Sequence, residues 1–276
     1  MGNSTMVNDV VGLHLGSKGR GVQELQEALT KNGFDPGKPD GDFGQHTQSA
    51  LINFQKSESL PATGKVDTKT ATALGITAVP YADDRAKFTV DKVWSSMFKS
   101  SPRANIEKYL PDILNSLYQL NLADKPMILM ALATIRAESG NFVPISEYQS
   151  TYNTPPRGVP YSLYDFRKDL GNHAKGDGSL FKGRGFVQLT GRNNYAFYSK
   201  LLNLGTQLLD HPDMANDGHV AADILAQFLK RHEVQIRNAL HENPPDLRTA
   251  RRMVNGGSHG LDVFKVAFNA GQKAIV

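Results

Sequence analysis

The run from Asp124 to Glu147, DKPMILMALATIRAESGNFVPISE, constrains this chain more than any other stretch. Asp124 can cap a helix start, and Pro126 falls in the first turn, where a missing backbone N–H costs nothing. Ile128, Leu129, Leu132 and Ile135 then supply an apolar helix. At about 100° per residue, Glu138 shares a side with Ala131, Thr134 and Ile135, the side a globular protein buries. Ser139, Gly140 and Asn141 stop the helix directly after it. A carboxylate there meets a helix C-terminus and apolar neighbours, and both oppose a negative charge. Glu147 follows among polar residues, where a carboxylate stays ionised. Two carboxylates in contrasting surroundings are what general acid and base hydrolysis of a glycosidic bond requires. The plain alternative is that Glu138 faces water or pairs with Arg136.

The 276 residues suffice for a small and a medium domain. No apolar run approaches the roughly 20 residues that span a bilayer, so no stable membrane insertion is expected. The start, MGNSTMVNDVVGLHLG, has neither a basic n-region nor an apolar h-region, so no secretory signal is expected. The chain has no cysteine, which excludes disulfides, a thiol nucleophile and a Cys-based metal site. Its net charge of +4 favours an anionic target, either nucleic acid or a bacterial envelope.

Periodicity divides the chain into a tail at 1–8, a compact unit at 9–76, a linker at 77–89 and a mostly helical unit at 90–276. The smaller unit has helices at 21–32 and 45–57 and a third after Asp67, around Leu25, Leu29, Phe34, Phe43, Leu51, Phe54 and Leu74. Between the first two lies GFDPGKPDGDFG, a loop of turn-forming glycines and prolines. The larger unit has helices near 90–98, 102–120, 124–138, 192–202, 218–231, 246–254 and 261–272. The segment after Glu147, up to about Ser179, is rich in Gly, Pro, Tyr and charge, and a loop this long in a compact domain is usually functional.

Residues 12–76, through GVQELQEAL, GFDPGKPDGDFGQHT, ALINFQ and LPATGKVDTKT, resemble the peptidoglycan-binding domain of cell-wall hydrolases. The resemblance implies non-catalytic attachment to bacterial peptidoglycan, with Asp40, Gly41, Phe43, Gly44 and Gln55 as motif residues of the module. From about 91 to 270, IRAESGNF, FKGRGFVQLTGRNNY and RRMVNGG together resemble glycoside hydrolase family 19, which includes chitinases and related phage endolysins. That resemblance implies a mainly α, lysozyme- and chitinase-like catalytic domain with Glu138 as general acid and Glu147 as general base; Asp165 or Asp169 are alternatives for the base. It implies that Thr190 and Gln188 orient the attacking water, and that Gln188, Asn194, Asn255, Arg184 and Tyr195 bind sugar. The pattern departs from chitinases at Ala137, Asn141 and Phe186, which implies altered subsites and peptidoglycan, not chitin, as substrate.

Other motifs fare worse. Gly256-Gly257-Ser258-His259-Gly260 follows the basic helix TARRMV and not the strand that a nucleophile elbow needs. GSKGRG at 16–21 lacks Walker spacing, DGDFG lacks the ligands of a calcium loop, and the histidines show no zinc spacing. Arg248, Arg251 and Arg252 read as a solvated helix face and not as a nucleic-acid contact. The sequence thus leads to a monomeric modular endolysin with no metal or cofactor and no nucleic-acid partner. It would be made in a host cytoplasm, reach the wall through a separate pore, and cut β-1,4 bonds with inversion. A chitinase and a non-catalytic wall-binding protein are the alternatives.

Overall fold

The computed structural model describes residues 10–76, 81–255 and 260–276. Its principal helices are α1 (Arg20–Lys31), α2 (Gln45–Ser57), α3 (Thr68–Ala73), α4 (Val90–Met97), α5 (Arg103–Gln119), α6 (Lys125–Glu138), α7 (Arg192–Leu201), α8 (Gly218–Arg231), α9 (Glu233–His241), α10 (Leu247–Asn255) and α11 (Leu261–Ala274). Among the described residues, extended pairing is limited to two isolated bridges, Lys18 with Asp42 and Arg184 with Leu189. The fold is mainly α, and none of the described helices is long and apolar enough to cross a membrane.

By contacts the chain forms two compact units, Met1–Tyr81 with Glu233–Asp246, and Ala82–His232 with Leu247–Val276. In the smaller unit Val22, Leu25 and Leu29 of α1 meet Ala50, Leu51 and Phe54 of α2, with Phe43, Val66 and Leu74 closing the core. The Asp67 carboxylate accepts from Thr70 N–H at 2.7 Å and starts α3, as its capping position predicts. The loop between α1 and α2 is organised by Gln26, which is buried. Its Nε2 lies 3.1 Å from Asp40 Oδ1, Asp42 O and Thr47 Oγ1, while its Oε1 accepts from Gly41 N–H at 3.0 Å. Gly41 has φ +78°, and a Cβ there would stand 3.1 Å from Gly19 O, so only glycine fits.

The motif residues of this module are largely framework. Phe43 is buried in the core, and Gln55 is buried with its Nε2 on Lys65 O and its Oε1 on Gly64 N–H. Gly44 precedes α2 as its N-cap. Phe43 and Gln55 set the shape of the module from inside, while Gly44 is exposed. Asp40 is on the surface; the Asp42 N–H and the Gln26 amide hold its carboxyl below the usual range.

Two boundaries differ from those expected. Residues 233–246 fall with the smaller unit: Val234 packs on its core, Asn238 Nδ2 donates to Lys18 O at 2.9 Å, and the Arg237 guanidinium lies 3.3 Å from the Tyr81 ring centroid. Residues 82–89 of the expected linker belong to the larger unit, where Phe88 is buried and Asp84 N–H donates to Ala123 O. Asp84, and not Asp124, supplies the hydrogen bond that starts α6, accepting from Lys125 N–H at 2.8 Å.

In the larger unit α6 is the central element. Every residue from Met127 to Ile135 is buried, so this helix has no polar face at all, as expected of a helix that is apolar all round. Helix α11 packs along it, α4 lies against α11, and α5 pairs with α8. The Phe98, Phe142 and Phe186 rings stack edge to face in sequence, with Tyr109 against Phe186. Phe186 is thus a core residue; its departure from the chitinase pattern is one of packing and not of a sugar subsite.

Candidate active site

The end of α6 delivers Glu138 as expected, since the helix stops there and Ser139 takes the C-cap position. Its surroundings differ from the apolar ones expected. Arg251 of α10 donates from Nη2 to Glu138 Oε1 at 2.6 Å; the Arg251 side chain is 0% exposed and that of Glu138 16%. Arg251 is therefore no member of a solvated helix face. It makes a buried, charge-assisted hydrogen bond to the one carboxylate at the helix end. Arg136 instead turns to Gly140 O and Ser100 Oγ and leaves Glu138 to Arg251.

Glu147 sits on a second segment, fixed by backbone pairing. Its N–H donates to Gly183 O at 2.7 Å, and Gly185 N–H donates to Ile145 O at 3.1 Å, so 145–147 runs beside the Gly-Arg-Gly turn. The Glu147 carboxylate accepts from Gly183 N–H at Oε2 (3.1 Å), and from Asn153 Nδ2 (2.9 Å) and the Tyr164 hydroxyl (2.8 Å) at Oε1. Burial and the bond to Glu147 push the Tyr164 phenol up to about 12, and burial followed by the Glu147 charge raises that of Tyr161. The alternative acids are engaged elsewhere. Asp165 accepts from Gly178 N–H, and exposed Asp169 pairs with Arg167, whose hydrogen bond holds its carboxyl below the usual range.

Gly183 gathers the remaining groups. A Cβ there would lie 2.9 Å from Gln188 Oε1, 3.2 Å from Thr190 Oγ1 and 3.3 Å from Glu147 Cβ, so the absent side chain is the space in which these three groups meet. Gln188 adopts φ 51°, an unusual conformation for its type, and its Nε2 is anchored on Ile145 O (3.0 Å) and Gly185 O (3.1 Å). Thr190 Oγ1 donates to Gln188 O at 2.9 Å, which leaves its lone pairs to accept. Asn194 is exposed and donates to Thr190 O at 2.7 Å. The Asn255 side chain lies outside the described residues, as do residues 256–259 of the Gly-Gly-Ser-His motif.

Two expected sugar ligands are corrected. Tyr195 is buried, donates to Lys182 O at 2.8 Å and has its phenol pushed up to about 12 by burial. Arg184 is 5% exposed; it binds Asp213 at 2.8 Å through Nε, and Leu180 O at 2.8 Å and the Tyr195 hydroxyl at 3.0 Å through Nη1. Both brace the turn that carries Gly183 and Gln188. Sequence reasoning missed Arg251, Asn153, Tyr164 and Asn216. Asn216 accepts from Gly185 N–H and donates to Ser146 Oγ, tying the two paired segments together.

Residues 18–74 match the family model of a peptidoglycan binding domain. The smaller unit thus carries that domain, and the matched stretch holds Gln26, the 35–44 loop and most of the core. A Bacillus cereus spore cortex-lytic enzyme is 49% identical over 55 residues, 20% of this chain and 21% of that protein. A Haemophilus influenzae protein described as glycosyl hydrolase family 19 domain-containing is 27% identical over 111 residues, 40% of this chain and 50% of its own length. The chain therefore spans about half the length of the first of these curated relatives to be aligned over the larger share, and about a fifth of the other. Among solved structures, chitinase C from Streptomyces griseus is 15% identical, with 68% of this chain and 76% of that chain covered at a TM-score of 0.44.

Proposed function

We propose that the chain is a modular peptidoglycan hydrolase of the endolysin type, which cleaves the β-1,4 bond between amino sugars of the wall with inversion. The observation that carries the reading is the convergence of Glu147, Gln188 and Thr190 on the open face of Gly183, in the same compact unit as Glu138. A water held there gives one hydrogen to Thr190 Oγ1 and the other to Glu147, which turns its lone pair outward toward an anomeric carbon. As that oxygen bonds to the carbon, Glu147 takes the proton, the glycosidic C–O bond breaks, and Glu138 protonates the leaving oxygen. Proton exchange with solvent then returns both carboxyl groups to their starting states. Arg251, which donates to Oε1, fixes the orientation of the Glu138 carboxyl. The peptidoglycan binding domain supports the wall, and not chitin, as the polymer: a tether raises the local concentration of what it holds.

Mass spectrometry of a purified wall digest tests this. New reducing ends at intact amino sugars are expected, with rate lowered about 10²-fold or more in Glu138→Gln. Fragments cut only at amide bonds, or bearing anhydro-sugar ends, would overturn the proposal, as would near-normal hydrolysis by the variant.

A further inference from the structure

The hydrogen bonding around Glu147 is asymmetric. Asn153 is 0% exposed, and its amide cannot be turned over: Oδ1 accepts from Ser150 N–H (2.9 Å) and Thr154 Oγ1 (2.8 Å), which fixes Nδ2 toward Glu147 Oε1 and Tyr148 O, each at 2.9 Å. Tyr164 donates to the same Oε1 at 2.8 Å. An oxygen that faces two donor hydrogens has no room for a third. Oε2 meets one donor among the described residues, Gly183 N–H at 3.1 Å, on the residue whose open face Thr190 and Gln188 flank. The Glu147 main chain is held as firmly, since Tyr161 donates to its carbonyl at 2.7 Å and its N–H is bonded to Gly183 O.

We infer that Glu147 Oε2 is the oxygen that takes the proton, and that Asn153 and Tyr164 are positioning residues which enforce this by occupying Oε1. The inference rests on the hydrolase reading above. Both residues lie in the long Gly- and Tyr-rich segment, so that segment does more than border the site: it grips the base from behind. The Tyr164 phenol, pushed up to about 12, stays a donor throughout the neutral range. The other groups that feel the Glu147 charge are the Tyr161 and Tyr195 phenols. Positive charge nearby comes from Arg184, bonded to Asp213, and from Lys182, whose Nζ lies 4.8 Å from the Tyr161 ring centroid.

Tyr164→Phe keeps the ring and removes one donor to the ionised carboxylate. With soluble glycan fragments it is expected to lower kcat about tenfold with KM within about twofold. Asn153→Asp replaces the donor to Oε1 by an acceptor oxygen and is expected to lower kcat further, again with KM within about twofold. An unchanged kcat in both variants, or a pure KM effect, overturns the inference. Glu147→Gln separates the two proposals. If it retains activity, the hydrolase reading fails in its choice of base; if it is inactive while Tyr164→Phe and Asn153→Asp match the wild-type kcat, the positioning role alone fails.

Discussion

Replacing Gly183 by alanine isolates the geometry of the site from the stability of the fold. Gly183 is no strained position, so the added methyl acts through contact alone. Its Cβ would stand 2.9 Å from Gln188 Oε1, 3.2 Å from Thr190 Oγ1 and 3.3 Å from Glu147 Cβ, all inside ordinary van der Waals separation. Gln188 cannot simply swing aside, because its Nε2 is anchored on Ile145 O and Gly185 O. The three groups must therefore part by a few tenths of an ångström. Overpacking of this kind costs about 1 kcal/mol where the neighbours are partly exposed, which for a unit of this size lowers Tm by about 2–4 °C. Catalysis is expected to suffer more: if a 1 Å displacement costs about 10²-fold, half of that costs about tenfold, and the methyl also fills the space of the proposed water. Gly183→Ala should thus melt within a few degrees of wild type while hydrolysing wall fragments at least about tenfold more slowly. Thermal unfolding followed by circular dichroism and a reducing-end assay on the same preparation check this. A variant of near-normal rate would refute the idea that Glu147, Gln188 and Thr190 act together at that face; one that fails to fold would show that the methyl does more than part these three groups.

Two further outcomes follow from ion pairs. Arg251→Met keeps the stem but removes the guanidinium from Glu138, and breaking a buried pair whose acid is 16% exposed should cost about 2–4 kcal/mol, read as a lower denaturant midpoint; an unchanged midpoint would count against the pair. Asp177, held by Arg192 at 2.6 Å, has its carboxyl lowered to about 2, chiefly by that bond. Its folded value is thus below the unfolded one of about 3.9, so its contribution is complete above about pH 4 and is lost as pH falls toward 2. With Arg192 28% exposed, that contribution is about 1–2 kcal/mol after screening; the stability difference between wild type and Asp177→Asn should shrink by roughly two-thirds of that from pH 6 to pH 2.5, and a constant difference would refute the assignment.

The helices were legible because their signals are local. Asp67 caps α3 through a residue three positions on, and Gly44 and Ser57 mark α2 at the bounds its periodicity predicts. The place of Glu138 at the end of α6 was legible for the same reason. What composition and spacing could not carry are pairings across the chain. Arg251 sits among arginines whose pattern reads as a charged surface, and only the meeting of α10 with the end of α6 makes one of them a buried partner. Arg184 and Tyr195 carry the polar groups of ligands, yet those groups turn inward to nearby carbonyls and to each other. Asn153 and Tyr164 lie in a segment without period, so nothing local distinguishes them from the exposed Tyr148 and Tyr152 beside them.

The return of residues 233–246 makes the smaller unit discontinuous in sequence, although the peptidoglycan binding match at 18–74 is continuous. The polypeptide passes between units at Tyr81 and Ala82, at His232 and Glu233, and again at Asp246 and Leu247. A graft that carries only the first 81 residues leaves behind Val234 and Asn238, which complete the face of α1, so a portable version must carry both pieces or a designed splice between them. On a genetic map the same feature inverts expectation: lesions at 233–246, deep in the larger unit by position, belong by structure to the smaller one.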